Sequence, residues 1–124
     1  MALRISKIGA SGAIIDGRIR DLAELRQVGL PIFSRDVGIS AATAVVYPAA
    51  LDVAIQISLP DGGSTTVNRG QLIVGDVNGV AVIPAHLEEQ VVELLPKLVE
   101  QDDNVRQALE AGQSAGEAFK LRSL

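Results

Sequence analysis

The chain has 124 residues, of which 48% are hydrophobic and only 2% aromatic, so its core must be built from Ala, Val, Leu and Ile, a composition suited to one domain with a sheet buried under helices. The net charge of −4, with acids and bases interspersed, excludes a broad basic footprint for nucleic acid, and the absence of cysteine excludes disulfides, thiolate catalysis and cysteine-held zinc. There is no apolar run of the roughly 18 residues that a bilayer-spanning helix needs and no signal-like start, so the sequence reads as soluble with no membrane partner, and the missing cysteine makes the cytoplasm the natural compartment.

Met1, Leu3, Ile5 and Ile8 recur at helical spacing and Gly9 follows as a stop, which predicts the last two turns of a helix already under way. Gly12 to Asp16 is a short apolar run that predicts a buried strand ending at an Asp16-Gly17 turn. Asp21 then occupies a helix N-cap position, with Leu22, Leu25 and Val28 on one face and Gly29 as the stop. The segment LPIFSRDV is a second strand, and strand, helix and strand together favour a parallel pair. Further along, Leu51, Val53, Ile55, Ile57 and Leu59 alternate with smaller or polar residues, predicting a strand with one buried face. PDGGS is a hairpin turn and TTVN the returning strand. Leu72 to Val74 and Val80 to Ile83 are strands joined through GDVNG, with Asn78-Gly79 expected at positive φ, so this half should form an antiparallel or mixed sheet. Pro84 to Gly112 is helical, with Pro96 expected to kink it and Asp103 to Ala111 expected as a second segment; the tail from Ser114 either docks as a last turn or frays.

Several motifs invite a site. The glycines of GASGAIIDG precede their strand, whereas a dinucleotide fingerprint follows one. GDVNGV lacks the ligands of a calcium loop and reads as a hairpin turn. His86 is the sole histidine, which rules out a multi-histidine metal site. The stretch DGRIRD is different, because it places Arg20 and Asp21 where a strand ends and a helix opens, a common gathering point for ligands in α/β folds. A guanidinium clamps a carboxylate at two points, and a neighbouring carboxylate can hold Mg²⁺, so the pair could bind an α-keto acid. Taken by itself, the same stretch reads more readily as a charged helix start, with Asp21 opposing the helix dipole.

The order KIGASGAIIDGRIRDLAEL, PIFSRDVGI, GQLIVGDVNGVAVIP and a long C-terminal helix resembles the class II 4-hydroxy-4-methyl-2-oxoglutarate aldolases and the related regulator of ribonuclease E activity A, over nearly the whole chain. Members of that family also carry a demethylmenaquinone methyltransferase-like label, yet no glycine-rich cofactor loop follows a first strand here. The resemblance implies an α/β fold of the swivelling β/β/α type, with a mixed sheet and a long C-terminal helical segment, assembled into trimers or hexamers with active sites at subunit boundaries. It places the family's pyruvate-binding arginine on Arg20, as the catalytic and substrate-binding residue, and its metal-binding aspartate on Asp21. The implied reaction is cleavage of a 4-hydroxy-2-oxo acid to pyruvate by a metal-dependent lyase, with Mg²⁺, Mn²⁺ or another divalent metal polarising the keto oxygen, and with oxaloacetate decarboxylation by the same enolate logic. The alternative is a non-catalytic regulator that binds a ribonuclease of the RNA-degradation machinery.

Compared with the family, residues 1–124 read as a single domain lacking the N-terminal part, including a glycine-rich loop that supplies backbone amides to the substrate. Loss of that layer would expose apolar sheet surface and favour association. Gly70-Gln71 stands where the family commonly has Gly-Asp, which predicts a local change of turn hydrogen bonding. The family's further acid, donated by a neighbouring subunit, is expected near Glu100 to Asp103.

Overall fold

The computed structural model describes residues 1–44 and 46–122. The chain divides into two compact units, Met1–Val82 and Ile83–Leu124. The first contains helices α1 (Ala2–Lys7) and α2 (Leu22–Val28), the parallel strands β1 (Ala13–Ile19) and β2 (Ile32–Val37), the antiparallel pair β3 (Ile55–Ser58) and β4 (Ser64–Val67), and β5 (Leu72–Asp76), which pairs with β6 (Gly79–Ile83). The fold is mixed α/β, as expected, but its mixed character is distributed over three two-stranded ladders.

Local chemistry explains most of these boundaries. Gly29 ends α2 with φ of 71°, a conformation that glycine adopts without the Cβ clash other residues suffer. The α2 crossover returns the chain in the same direction, so β1 and β2 pair in parallel. Only Val77 and Asn78 separate β5 from β6, too short a connection for anything but antiparallel pairing. In that turn Gly79 has positive φ and Asn78 does not; the Asn78 amide instead donates to Asp76 Oδ1 at 2.7 Å. The expected Asp16-Gly17 turn is absent. The strand runs on through both residues, with a register shift between Ile15 and Arg18. The period-two run also shortens, because β3 begins at Ile55 and leaves Leu51 and Val53 outside it.

The expectation of buried strands fails in this unit. Among the described residues only Leu30 and Val67 are buried there. Leu72, Ile73 and Val74 of β5 are 43%, 39% and 54% exposed, and since successive side chains point to opposite faces, both faces of the strand lie open. Ile14 and Ile15 of β1 behave in the same way. Two-stranded ladders supply too little area to cover one another, so apolar alternation in sequence does not become burial.

The second unit is helical: α3 (Glu88–Glu110), α4 (Ala115–Ala118) and a 3₁₀ turn over Phe119–Arg122. Helix α3 is continuous through Pro96 and includes the segment expected to be separate. Proline forfeits one backbone hydrogen bond, but Glu93, Leu94, Leu95, Lys97 and Leu98 around it are good helix formers. The tail docks. Ser114 and Glu117 form a reciprocal capping box, and Ala118, fully buried, clusters with Val105 and Ala108 of α3.

Candidate functional site

Arg20 and Asp21 lie between the end of β1 and the start of α2, where the sequence placed them. Asp21 is the N-cap residue of α2, but it sits in the left-handed region with φ 61° and ψ 41°, and its side chain makes no capping hydrogen bond. Its Oδ2 lies 3.2 Å from Arg20 Nε instead, with the two side chains 48% and 52% exposed on the Arg and Asp sides. A non-glycine residue held at positive φ costs on the order of 1–2 kcal/mol, least for Asp and Asn, and such positions gather at ligand sites. The side chain thus turns away from the helix it begins and towards its neighbouring guanidinium. Arg18 and Asp36, 3.9 Å apart and more exposed, form only a loose pair on β1 and β2.

A second charged group, not foreseen from the sequence, lies a few residues upstream. Asp16 Oδ1 accepts from Arg35 Nε, while its Oδ2 accepts from the Ser58 backbone amide at 3.1 Å and from the Ser58 hydroxyl at 3.4 Å. The same guanidinium donates through a terminal nitrogen to the Ser58 carbonyl. One ion pair therefore ties together β1, β2 and the end of β3. Hydrogen bonds from Arg35, and then from the Ser58 amide, hold the Asp16 carboxyl below the usual aspartate range. The available signal was an Asp-Gly inside an apolar strand, which is as much a bulge signature as a turn signature.

The remaining candidates are placed elsewhere. Gly9 ends α1 and Gly12 precedes β1, so neither belongs to a nucleotide loop. His86 is exposed in a 3₁₀ turn over Ala85–Leu87. Asp76 is committed to its turn: hydrogen bonds from the Asn78 amide and side chain lower its carboxyl pKa. At the Gly70-Gln71 position Gln71 Oε1 accepts from the Asn68 amide at 2.6 Å. Glu100 to Asp103 lie on α3 in the second unit, where Asp102 pairs with Arg122 and Asp103 pairs with Arg106 at 2.8 Å.

Among the described residues no three His, Cys, Asp or Glu side chains cluster closely enough to cage a metal. A magnesium-type ion does not need such a cage, because it keeps several waters and takes one or two carboxylates. Asp21 fits that role: a hard oxygen donor, half exposed to water and not used in helix capping.

Comparison with known proteins gives the context. The family described as RraA-like, Aldolase/RraA, matches residues 1–82, which contain Arg20, Asp21 and the Asp16 group. A protein of Halalkalibacterium halodurans named "Putative 4-hydroxy-4-methyl-2-oxoglutarate aldolase" is 34% identical over 100 residues, covering 81% of this chain and 44% of that protein. An uncharacterized protein of Methanocaldococcus jannaschii is 26% identical over 113 residues, covering 91% of this chain and 51% of its own length. The crystal structure of an uncharacterized protein from Pseudomonas syringae pv. tomato superposes with a TM-score of 0.83 at 27% identity, over 97% of this chain and 54% of that one. This chain therefore spans about half the length of these relatives. With the motif-bearing unit matched throughout and the fold shared, the chain belongs to the RraA-like, Aldolase/RraA, family.

Proposed function

We propose that Arg20 and Asp21 form the oxo-acid site of a divalent-metal-dependent lyase that cleaves 4-hydroxy-2-oxo acids to pyruvate. The observation that carries this reading is the pair itself: adjacent, 3.2 Å apart, half exposed, and built on an aspartate whose backbone is held at positive φ while its carboxylate leaves the helix uncapped. The relative named for such an aldolase supports the reaction class. Arg20 binds the C1 carboxylate of the substrate through its planar fork, which fixes the orientation of the adjacent keto group. Asp21 would hold the cation, which when bound supplies Lewis-acid polarisation of the keto oxygen. The substrate carboxylate takes over the guanidinium that Asp21 engages in the free chain, so ligand binding releases the Asp21 carboxylate for the cation. Binding of oxo acid and binding of metal are therefore coupled.

In the overall reaction the 4-hydroxyl loses its proton, the C3–C4 bond breaks with its electron pair staying on C3 and C4 becoming a carbonyl, and the C1–C3 enolate takes up a proton at C3 and leaves as pyruvate. Arg20 retains that fragment by the same two contacts throughout. The acid expected near Glu100 to Asp103 from a neighbouring subunit, and assembly into trimers or hexamers, belong to the same proposal. The test is pyruvate release from 4-hydroxy-4-methyl-2-oxoglutarate with Mg²⁺ and with chelator. Metal-dependent release that Arg20→Ala lowers by about a hundredfold or more supports the reading, in line with the loss of a charged substrate-orienting contact. Turnover that is unchanged in Arg20→Ala, or no pyruvate binding by the unmodified chain, overturns it.

A further inference from the structure

We infer that Asp16 and Arg35 form a positioning clamp that fixes the bulge of β1 and thereby the direction in which Arg20 and Asp21 leave the sheet; the inference rests on the oxo-acid reading of that pair. The register carries the first step. Ala13, Ile14 and Ile15 pair with Ile32, Phe33 and Ser34, and Arg18 and Ile19 pair with Asp36 and Val37. Asp16 and Gly17 together therefore stand opposite Arg35 alone. One extra residue reverses the alternation of everything after it in the strand, so Arg18 emerges on the face of Asp36, and β1 hands the chain on at Ile19 to Arg20 and Asp21 in that reversed sense. Without the bulge Arg18 would emerge on the opposite face. The direction of the site is thus set at Asp16-Gly17, upstream of the site itself.

The second step is what holds the bulge. A bulged residue is unpaired in its ladder, so its position depends on contacts from outside it. Asp16 supplies two, to Arg35 across the bulge and to Ser58 at the end of β3. The Ser58 backbone amide donates to the Asp16 carboxylate and the Ser58 carbonyl accepts from the Arg35 guanidinium. The carboxylate-guanidinium pair thus presents to Ser58 an acceptor beside a donor, as a neighbouring strand's backbone would. The last residue of β3 is docked on the bulge by an ion pair that imitates a strand. The Asp16 side chain is 23% exposed, less than the other aspartates in this unit's ion pairs, because Arg35 and Ser58 both lie against it.

The experiment is calorimetric titration of the full chain with pyruvate in Mg²⁺, at a temperature well below unfolding, for the unmodified protein and for Arg20→Ala, Asp16→Asn and Arg35→Lys. Arg35→Lys keeps the charge but lacks the planar fork whose Nε and terminal nitrogen donate to Asp16 and to the Ser58 carbonyl, and it is the informative variant should Asp16→Asn not fold. The expected result is a pyruvate Kd raised about tenfold or more in each clamp variant, with an added Asp16→Asn, Arg35→Lys double variant binding no weaker than the singles, as for residues acting as one unit. A purely structural Asp16 would lower the unfolding temperature and leave the affinity of folded protein unchanged, which overturns the clamp. If Arg20→Ala loses pyruvate while both clamp variants retain it, the inference fails and the oxo-acid reading stands. If Arg20→Ala retains pyruvate, both fail.

Discussion

The two units of this chain are stabilised by different means. In Ile83–Leu124 the order comes from an apolar cluster of Val105, Ala108 and Ala118 and from a local capping box. In Met1–Val82 the described residues include two buried side chains, Leu30 and Val67, and the conspicuous long-range tie is polar, running from Asp16 through Arg35 to Ser58. The helical unit follows rules that act over a few residues, whereas the strand unit depends on pairings between residues far apart in sequence. The proposed site lies in the unit held by pairings.

The sharpest way to break the comparison is Ala118→Asp. It puts an unpaired charge at a fully buried position and is expected to cost about 3–5 kcal/mol, read as loss of amide protection in residues 105–118 by hydrogen exchange. Next is Gly75→Ala in the strand unit. A Cβ there would lie 2.6 Å from the Phe33 ring, so either the ring or the strand must move, at about 1–3 kcal/mol measured by urea unfolding. Ser114→Ala removes one arm of the capping box and is expected to cost about 1 kcal/mol, confined to the α4 turn.

The smallest effect is the pH dependence. The Asp16 carboxyl is held below its ordinary range, so its contribution to stability is complete above that range and is lost as pH falls through it towards the lowered folded value. Asp76 contributes with the same sign through the Asn78 amide. The acid limb of a urea-midpoint profile should therefore flatten partly in Asp16→Asn and further in the Asp16→Asn, Asp76→Asn double variant. An unchanged acid limb in the double variant would show that neither hydrogen-bonded carboxylate contributes to folding.

Much was legible in the residues themselves. Gly29 and Gly9 mark helix ends, the α2 crossover implies the parallel β1–β2 pair, and the PDGGS turn gives the β3–β4 hairpin. Arg20 and Asp21 stand at the expected junction because strand and helix signals on either side fix it within a residue or two. The errors are equally specific. Asp16-Gly17 is a bulge because Arg35 and Ser58, 19 and 42 positions away, satisfy the aspartate in an extended chain. The Ser114 to Glu117 box orders a segment whose weak apolar periodicity does not announce a helix.

Sequence alone determined element types, the handedness-sensitive glycines and the adjacency of Arg20 to Asp21, since each follows from backbone sterics or hydrogen bonding within a few residues. Tertiary structure decided the register shift at Asp16-Gly17, that Asp21 turns from its helix to Arg20, and which apolar strands remain uncovered. Those outcomes depend on ladder register and on partners brought from distant segments, and a register displaced by one residue reverses every side chain beyond it without altering a single local preference.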